Sequence, residues 1–334
     1  MVEGSNCTNC LSEERQRSLV PTYTLFGVEG LVLVLSNFTI FFSILRQKVL
    51  WQKKQYVVVA GLSLVYGING LACVIGGVSR VYFIQTGTAN QLSSRWGCLL
   101  TPWQQLWAWS DPLRGLILVV VSMDRLFAVC MPLKYFFFTY RYALILVGSA
   151  FLYTFLTLLV AAGLTHSHQT ASYPRICISR WTYHPAYYKF LLLESFSFPI
   201  VSVVIYGFVV YFYRRGQAGM GMGLAQKTER KVQSKMTQTL GISCAFTLLL
   251  FVVPTLCESA LTVMEVKPHL FTLVAGYGFS LQNLDSLLDF FIFTLRHEEL
   301  KLAATHLFTC KELTEAKLDQ SKIKLEGKNA VSRM

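Results

Sequence analysis

Long apolar stretches recur seven times along the chain, at residues 22–45, 56–79, 98–129, 142–164, 187–213, 236–263 and 270–294. Each is near the roughly 20 apolar residues that a helix needs to cross a bilayer. The third and fifth run longer and hold charges inside them. Between Glu29 and Asp111 there is no acidic residue at all. The pattern predicts an all-α membrane protein, a bundle of seven transmembrane helices over 22–294. Beyond it, Leu300, Ala303, Ala304, Leu307 and Phe308 fall at i, i+3, i+4, i+7 and i+8, one apolar face. They predict a short amphipathic eighth helix over 295–309 that lies in the membrane interface. Residues 1–21 precede the bundle. Residues 310–334 alternate Lys and Glu with little apolar content and are expected to be mostly disordered. The Gly/Met-rich stretch 216–226 is expected to form a flexible loop. The first apolar stretch does not resemble a cleavable leader, because it follows the mixed-charge Glu13, Glu14, Arg15 and Arg17 and is too long. No internal repeat is visible, and seven is an odd count for a duplicated transporter.

Composition agrees with this picture. Of 334 residues 53% are hydrophobic and 14% charged, against about 25% charged in soluble domains. The formal charge of +12 would suit a nucleic-acid partner, but its placement points elsewhere. If the N-terminus lies outside, the inner connections hold fifteen Lys and Arg, among them Arg46, Lys53, Lys134, Arg214, Arg230, Lys231 and Lys235. The outer connections hold seven, among them Arg80, Arg95, Arg175 and Arg180. The positive-inside rule then sets an extracellular N-terminus and a cytoplasmic C-terminus in the plasma membrane. No basic cluster lies on a soluble unit, so the surroundings are membrane lipid and no nucleic acid is expected. Asn6-Cys7-Thr8 is a glycosylation acceptor on the outer side, whereas Asn37-Phe38-Thr39 lies within a span. There is no HExxH, GxSxG or metal-spaced His/Cys set, so an enzyme, a metal and a cofactor are not expected.

At the inner end of the third span the chain reads Asp124-Arg125-Leu126-Phe127-Ala128-Val129-Cys130-Met131-Pro132-Leu133-Lys134-Tyr135. This resembles the D-R-Y-x-A-V/I-x-x-P-L-x-Y signature of rhodopsin-like (class A) G-protein-coupled receptors, with Leu126 in place of Tyr. An Asp–Arg pair at a membrane boundary neutralises itself while the bundle is closed, and a released Arg can bond carbonyls of an inserted partner helix. At the end of the seventh span, Asp289-Phe290-Phe291-Ile292-Phe293 resembles the family's N/D-P-x-x-Y segment, with Phe290 for Pro and Phe293 for Tyr. The resemblance also implies a disulfide between Cys98 and Cys177. Cys7 and Cys10 pair with each other or with nothing, and Cys310 is a palmitoylation candidate or a free thiol. The sixth span keeps the kinking proline in Phe251-Val252-Val253-Pro254 but lacks the family's Trp. The fourth span lacks its Trp and the second its Asp. These departures suggest a divergent branch, similar to the nematode-type serpentine chemoreceptors.

Stepping outward from Arg125, Ser122, Leu118, Arg114, Asp111, Trp107 and Gln104 share one helix face. Arg114 then sits near mid-membrane, where an unpaired Arg costs roughly 2.5–3.5 kcal/mol, and needs an anion. Asp111 at i−3 would make a local pair. Asp285 or Asp289 would instead join the third and seventh helices, the guanidinium replacing the sodium ion that the resemblance would place there. Gln104, Trp107, Asp111, Glu194 and Glu258 are the candidates for a ligand pocket in the outer half, with Glu194 and Glu258 able to pair with Lys189 and Arg180 instead. The loop residues His166, His168 and His184 are candidates for a metal or pH cluster, or simply solvated. The resemblance implies a receptor that binds an extracellular ligand, swings its sixth helix about Pro254 and presents Arg125 to a heterotrimeric G protein. The alternative is a channel or transporter that uses the buried charges.

Overall fold

The computed structural model describes residues 10–217, 239, 241–264 and 268–309. Asn6, Cys7, Cys310 and the basic residues Arg230, Lys231 and Lys235 lie outside them. The long helices are α1 (Glu13–Arg46), α2 (Lys54–Gln85), α3 (Pro102–Cys130), α4 (Tyr140–His166), α5 (Pro185–Gln217), α6 (residues 241–263) and α7 (Pro268–Arg296). The shorter α8 (Glu298–Thr309) follows. Short helices at Lys48–Trp51, Arg95–Leu99, Pro132–Phe137 and Ser179–Thr182 fill the connections. Strands β1 (Leu92–Ser93) and β2 (Tyr173–Pro174) pair antiparallel, Leu92 against Pro174 and Ser93 against Tyr173.

Among the described residues five helices, α1, α2, α4, α5 and α6, are long and apolar enough to cross a membrane. Helix α3 carries Asp111, Arg114, Asp124 and Arg125 within its length, and α7 carries Asp285 and Asp289. Burial runs opposite to that of a soluble protein. Only 22–33% of the most apolar stretch is buried in α1, α4, α5 and α6, against 78% in α2. Side chains such as Leu35, Val78, Ile145, Leu152 and Leu249 stand outward. Continuous apolar surface of this extent needs an apolar surrounding.

Helix α1 begins nine residues before the apolar stretch does. Ser12 caps it by accepting from the Arg15 N–H, and Glu13 and Glu14 lie in its first turn, where the helix dipole favours carboxylates. The charged segment ahead of the first span is therefore its first turns. Close approach of α1 and α2 depends on missing side chains. A Cβ on Gly70 would lie 2.7 Å from the Leu33 Cβ and 2.9 Å from the Gly30 carbonyl oxygen, a small-residue contact of the kind that joins helices in lipid.

Helix α6 contains a π-helical turn at Leu248–Val252, immediately before Pro254. Proline lacks the N–H that an α-helix would direct at the fourth residue back, and its ring crowds that carbonyl. The wider turn makes room for the mismatch. At the far end of the bundle the Glu299 carboxylate accepts from Lys53 Nζ at 2.8 Å and from the Tyr56 hydroxyl at 2.9 Å. Leu300 and Ala303 are buried, and α8 packs against α1.

Candidate functional site

The end of the bundle at Cys98 is built around one loop. Cys98, in the short helix ahead of α3, is disulfide-bonded to Cys177. Cys177 adopts φ 47°, a left-handed conformation costly for a residue with a Cβ. The turn coincides with a cluster of donors: Arg80 Nε donates to the Ile176 carbonyl at 2.9 Å and Arg80 Nη2 to the Cys177 carbonyl at 2.8 Å. Gln104 Nε2 donates to that same Cys177 carbonyl, and its Oε1 accepts from Ser179. Arg95 ties the loop from the other side through the Tyr173 hydroxyl and the Tyr183 carbonyl. The segment before α1 closes over this end, with Leu11 and Asn90 exchanging two hydrogen bonds. Cys10 is itself disulfide-bonded.

Beneath the loop lies a cavity of about 790 Å³, within the usual range for small-molecule sites. Its wall includes Trp107, Asp111 and Arg114 of α3, Glu258 of α6, and Phe279 and Gln282 of α7. Trp107 packs edge-on against Phe279, ring centroids 5.8 Å apart. Arg114 is buried and donates through Nη2 to Asp111 at 3.2 Å and to Gln282 at 3.1 Å. Its guanidinium also stands 5.2 Å from the Phe251 ring and 5.7 Å from that of Phe279. The link between α3 and α7 thus runs through Gln282, not by hydrogen bonds to Asp285 or Asp289. Gln282 in turn donates to Thr255 of α6 at 3.1 Å, so one guanidinium joins three helices.

The two α7 carboxylates are held one and two turns deeper by neutral donors. Asp285 accepts from the Thr247 hydroxyl at 3.2 Å. Asp289 accepts from the Tyr66 hydroxyl at 2.9 Å and from Ser243. Hydroxyls from α2 and α6 take the place of the cation expected from sequence.

Two expected pocket residues do not line the cavity. Gln104 is spent on the loop carbonyl. Glu194 faces α4, where it accepts from Tyr153, and not Lys189. Trp107, Asp111 and Glu258 do line it. Arg80, counted from sequence as a loop charge, lies in α2, is 5% exposed and forms part of the wall. Its only sequence signal is an Arg set in an otherwise apolar run, Val78-Ser79-Arg80-Val81-Tyr82-Phe83. The rings of His168 and His184 lie 5.4 Å apart and His166 packs on Trp96. No group of His, Cys, Asp and Glu among the described residues is arranged to hold a metal.

The opposite end of α3 holds a closed polar latch. Arg125 donates through Nε to Asp124 at 3.0 Å and through Nη2 to the same oxygen. The Tyr135 hydroxyl, from the short helix Pro132–Phe137, donates to Asp124 at 3.2 Å and accepts from Arg125 at 3.3 Å. Burial pushes the Tyr135 hydroxyl pKa up, so it stays a proton donor. Pro132, at the first position of that short helix, fixes the backbone that brings Tyr135 back to Asp124. Lys54 of α2 stands over the Tyr135 ring at 3.8 Å. Phe293 of α7 is buried, stacks on His297, and lines with Arg125 a small void of about 10 Å³.

The family described as serpentine type 7TM GPCR chemoreceptor Srsx matches residues 31–308. The chain belongs to this family. The match runs from within α1 to the last turn of α8 and includes both the cavity wall on α3 and the Asp124–Arg125 latch. A comparison with curated proteins found no match. Membership makes the chain a multi-pass membrane protein of a GPCR-type chemosensory family, which is not an enzyme family. The Srsx chain keeps the Cys98–Cys177 bridge and builds its cavity directly beneath it.

Proposed function

We propose that the chain is a plasma-membrane chemosensory receptor in which all seven long helices cross the bilayer. The disulfide end faces outside and α8 lies at the inner surface. An extracellular ligand enters the cavity beneath Cys177, and a heterotrimeric G protein engages the end that carries Arg125. The observation that supports this is the division of labour along one helix. Asp111 at the cavity and Arg125 at the latch are fourteen residues apart on continuous α3, about 21 Å at the rise of an α-helix. A ligand that contacts Glu258 and Thr255 acts on α6 just outside its π turn and Pro254. An outward swing of the inner part of α6 about that point frees the way to Arg125. Arg125 Nη1 has no acceptor among the described residues in the closed arrangement, and carbonyls of an inserted partner helix would satisfy it.

The test is a screen of small molecules on cells that carry the receptor with a promiscuous G-protein reporter. A compound active on the wild type should lose its signal in Arg125→Ala at equal surface expression. A ligand-evoked signal that survives Arg125→Ala sinks the coupling role. A ligand-evoked current that survives it would establish the channel reading instead.

A further inference from the structure

Helix α6 holds two charged groups in place in the middle of the bundle. The Phe251 ring, in the π turn, lies 5.2 Å from the Arg114 guanidinium. The Thr247 hydroxyl, just ahead of that turn, donates to the Asp285 carboxylate at 3.2 Å. Arg114 and Asp285 are both buried, and their charges act on each other. Among the described residues no ion pair joins them, because Arg114 pairs with Asp111. Arg114 uses Nη2 alone for its hydrogen bonds, to Asp111 and Gln282. Its Nε and Nη1 are buried without an acceptor among the described residues. Asp285 follows Gln282 by three residues on the same face of α7, one turn deeper. A guanidinium with idle donors thus sits one helical turn from a carboxylate that a neutral hydroxyl satisfies.

We infer that Arg114 changes partner when the bundle opens: it leaves Gln282 and pairs with Asp285 as Thr247 and Phe251 withdraw. This rests on the α6 swing proposed above. Thr247 and Phe251 both precede Pro254, so one movement takes away the ring beside the guanidinium and the hydroxyl on the carboxylate. What remains is a buried cation and a buried anion on facing helices, each short of hydrogen bonds. A buried carboxylate stripped of its donor is costly, and a guanidinium fork is the strongest replacement at hand. The exchange also releases Gln282, which bonds Thr255 at the cavity wall. A ligand that draws Gln282 or Asp111 away from Arg114 therefore favours the same change from the other side. The Thr247–Asp285 bond stabilises the closed bundle and the Arg114–Asp285 pair stabilises the open one, so Arg114 acts as a positioning residue with two discrete partners.

The experiment uses the purified full chain in detergent, carrying Cys257→Ser and Cys310→Ser and a trifluoromethyl label on Cys130, an exposed thiol at the latch end of α3. Fluorine NMR reads the closed and open populations without any ligand. Thr247→Val removes the hydroxyl and keeps the shape of the side chain, and should raise the open population about fivefold. In an Asp285→Asn background the same substitution should change nothing, because no carboxylate is left for Arg114 to take. An Arg114→Gln background should cancel the effect as well. In Asp289→Asn, whose carboxylate is not the new partner, Thr247→Val should still open the bundle. A helix α6 that is merely looser would open to the same degree in every background. No rise in Thr247→Val, a rise that persists in Asp285→Asn or Arg114→Gln, or a rise that vanishes in Asp289→Asn overturns the inference. The same variants are assayed in cells with the promiscuous G-protein reporter. The expected populations with no reporter response leave the exchange standing and remove G-protein coupling. A reporter response to Thr247→Val that is equal with and without Asp285→Asn does the reverse.

Discussion

Arg114 offers the sharpest test of how the bundle is held together. Arg114→Met keeps much of the volume and removes the charge. The structure gives the losses: an ion pair to Asp111, a hydrogen bond to Gln282, and contacts over two aromatic rings. Removing one partner of a buried pair costs about 3–5 kcal/mol. Asp111 keeps 25% side-chain exposure toward the cavity, and Gln282 keeps its bond to Thr255, so the expected cost is lower, about 2–3 kcal/mol. The double variant Arg114→Met/Asp111→Asn removes the stranded carboxylate and should recover roughly half of that loss. Arg114→Met/Asp285→Asn and Arg114→Met/Asp289→Asn should recover nothing, because those carboxylates are bonded by Thr247, Tyr66 and Ser243. Fluorescence-detected size-exclusion after graded heating of detergent extracts measures all four. Rescue by Asp285→Asn or Asp289→Asn with none by Asp111→Asn would refute the Gln282-centred arrangement.

Tyr135→Phe removes the hydroxyl that bridges Asp124 and Arg125; losing about 1 kcal/mol of latch should raise the active population about fivefold, seen as higher basal reporter signal at equal surface expression. Gly70→Ala forces a Cβ against Leu33 and the Gly30 backbone and should lower melting by an amount equivalent to about 1–3 kcal/mol; Gly148→Ala, with nothing within 4 Å, should be neutral or slightly stabilising. Lys53→Met breaks a pair that is 36% exposed on the Lys side and should cost at most about 1 kcal/mol. Combined with Tyr56→Phe it should speed amide exchange in α8 by several-fold, read by mass spectrometry.

The helical layout was legible because continuous apolar runs have one structural meaning at this length. Helix ends were less legible. Ser12, Glu13 and Glu14 make a good cap, yet their polarity reads as a loop until the helix beneath them is seen. The third apolar run hid a break as well, since Cys98 belongs to a separate short helix before α3 begins at Pro102. For the cavity, the 3.6-residue period correctly gathered Trp107, Asp111 and Arg114 on one face. It could not show that Gln104, on the same face, is covered by a loop some seventy residues later in the chain. Glu194 has no such neighbour in sequence to reveal that its side of α5 meets α4. Arg80 was missed for the opposite reason, because a charge at the edge of an apolar run looks like an interfacial residue whether it points outward or in. The partners of Asp285 and Asp289 are hydroxyls, and hydroxyl residues are too common in membrane helices to be singled out without coordinates.

The π turn at Leu248–Val252 fits one more residue into α6 than an α-helix of that length would hold. Its outer and inner halves are therefore out of phase by about 100°. A single helical wheel drawn through the whole of α6 misplaces one half or the other. The same offset makes one residue of that turn removable. Deleting it would turn the segment into plain α-helix and leave Ser243 against Asp289 and Thr255 and Glu258 at the cavity wall. The π turn thus buffers the pocket lining against a one-codon deletion, as long as Phe251, which lies in that turn and lines the cavity, is kept.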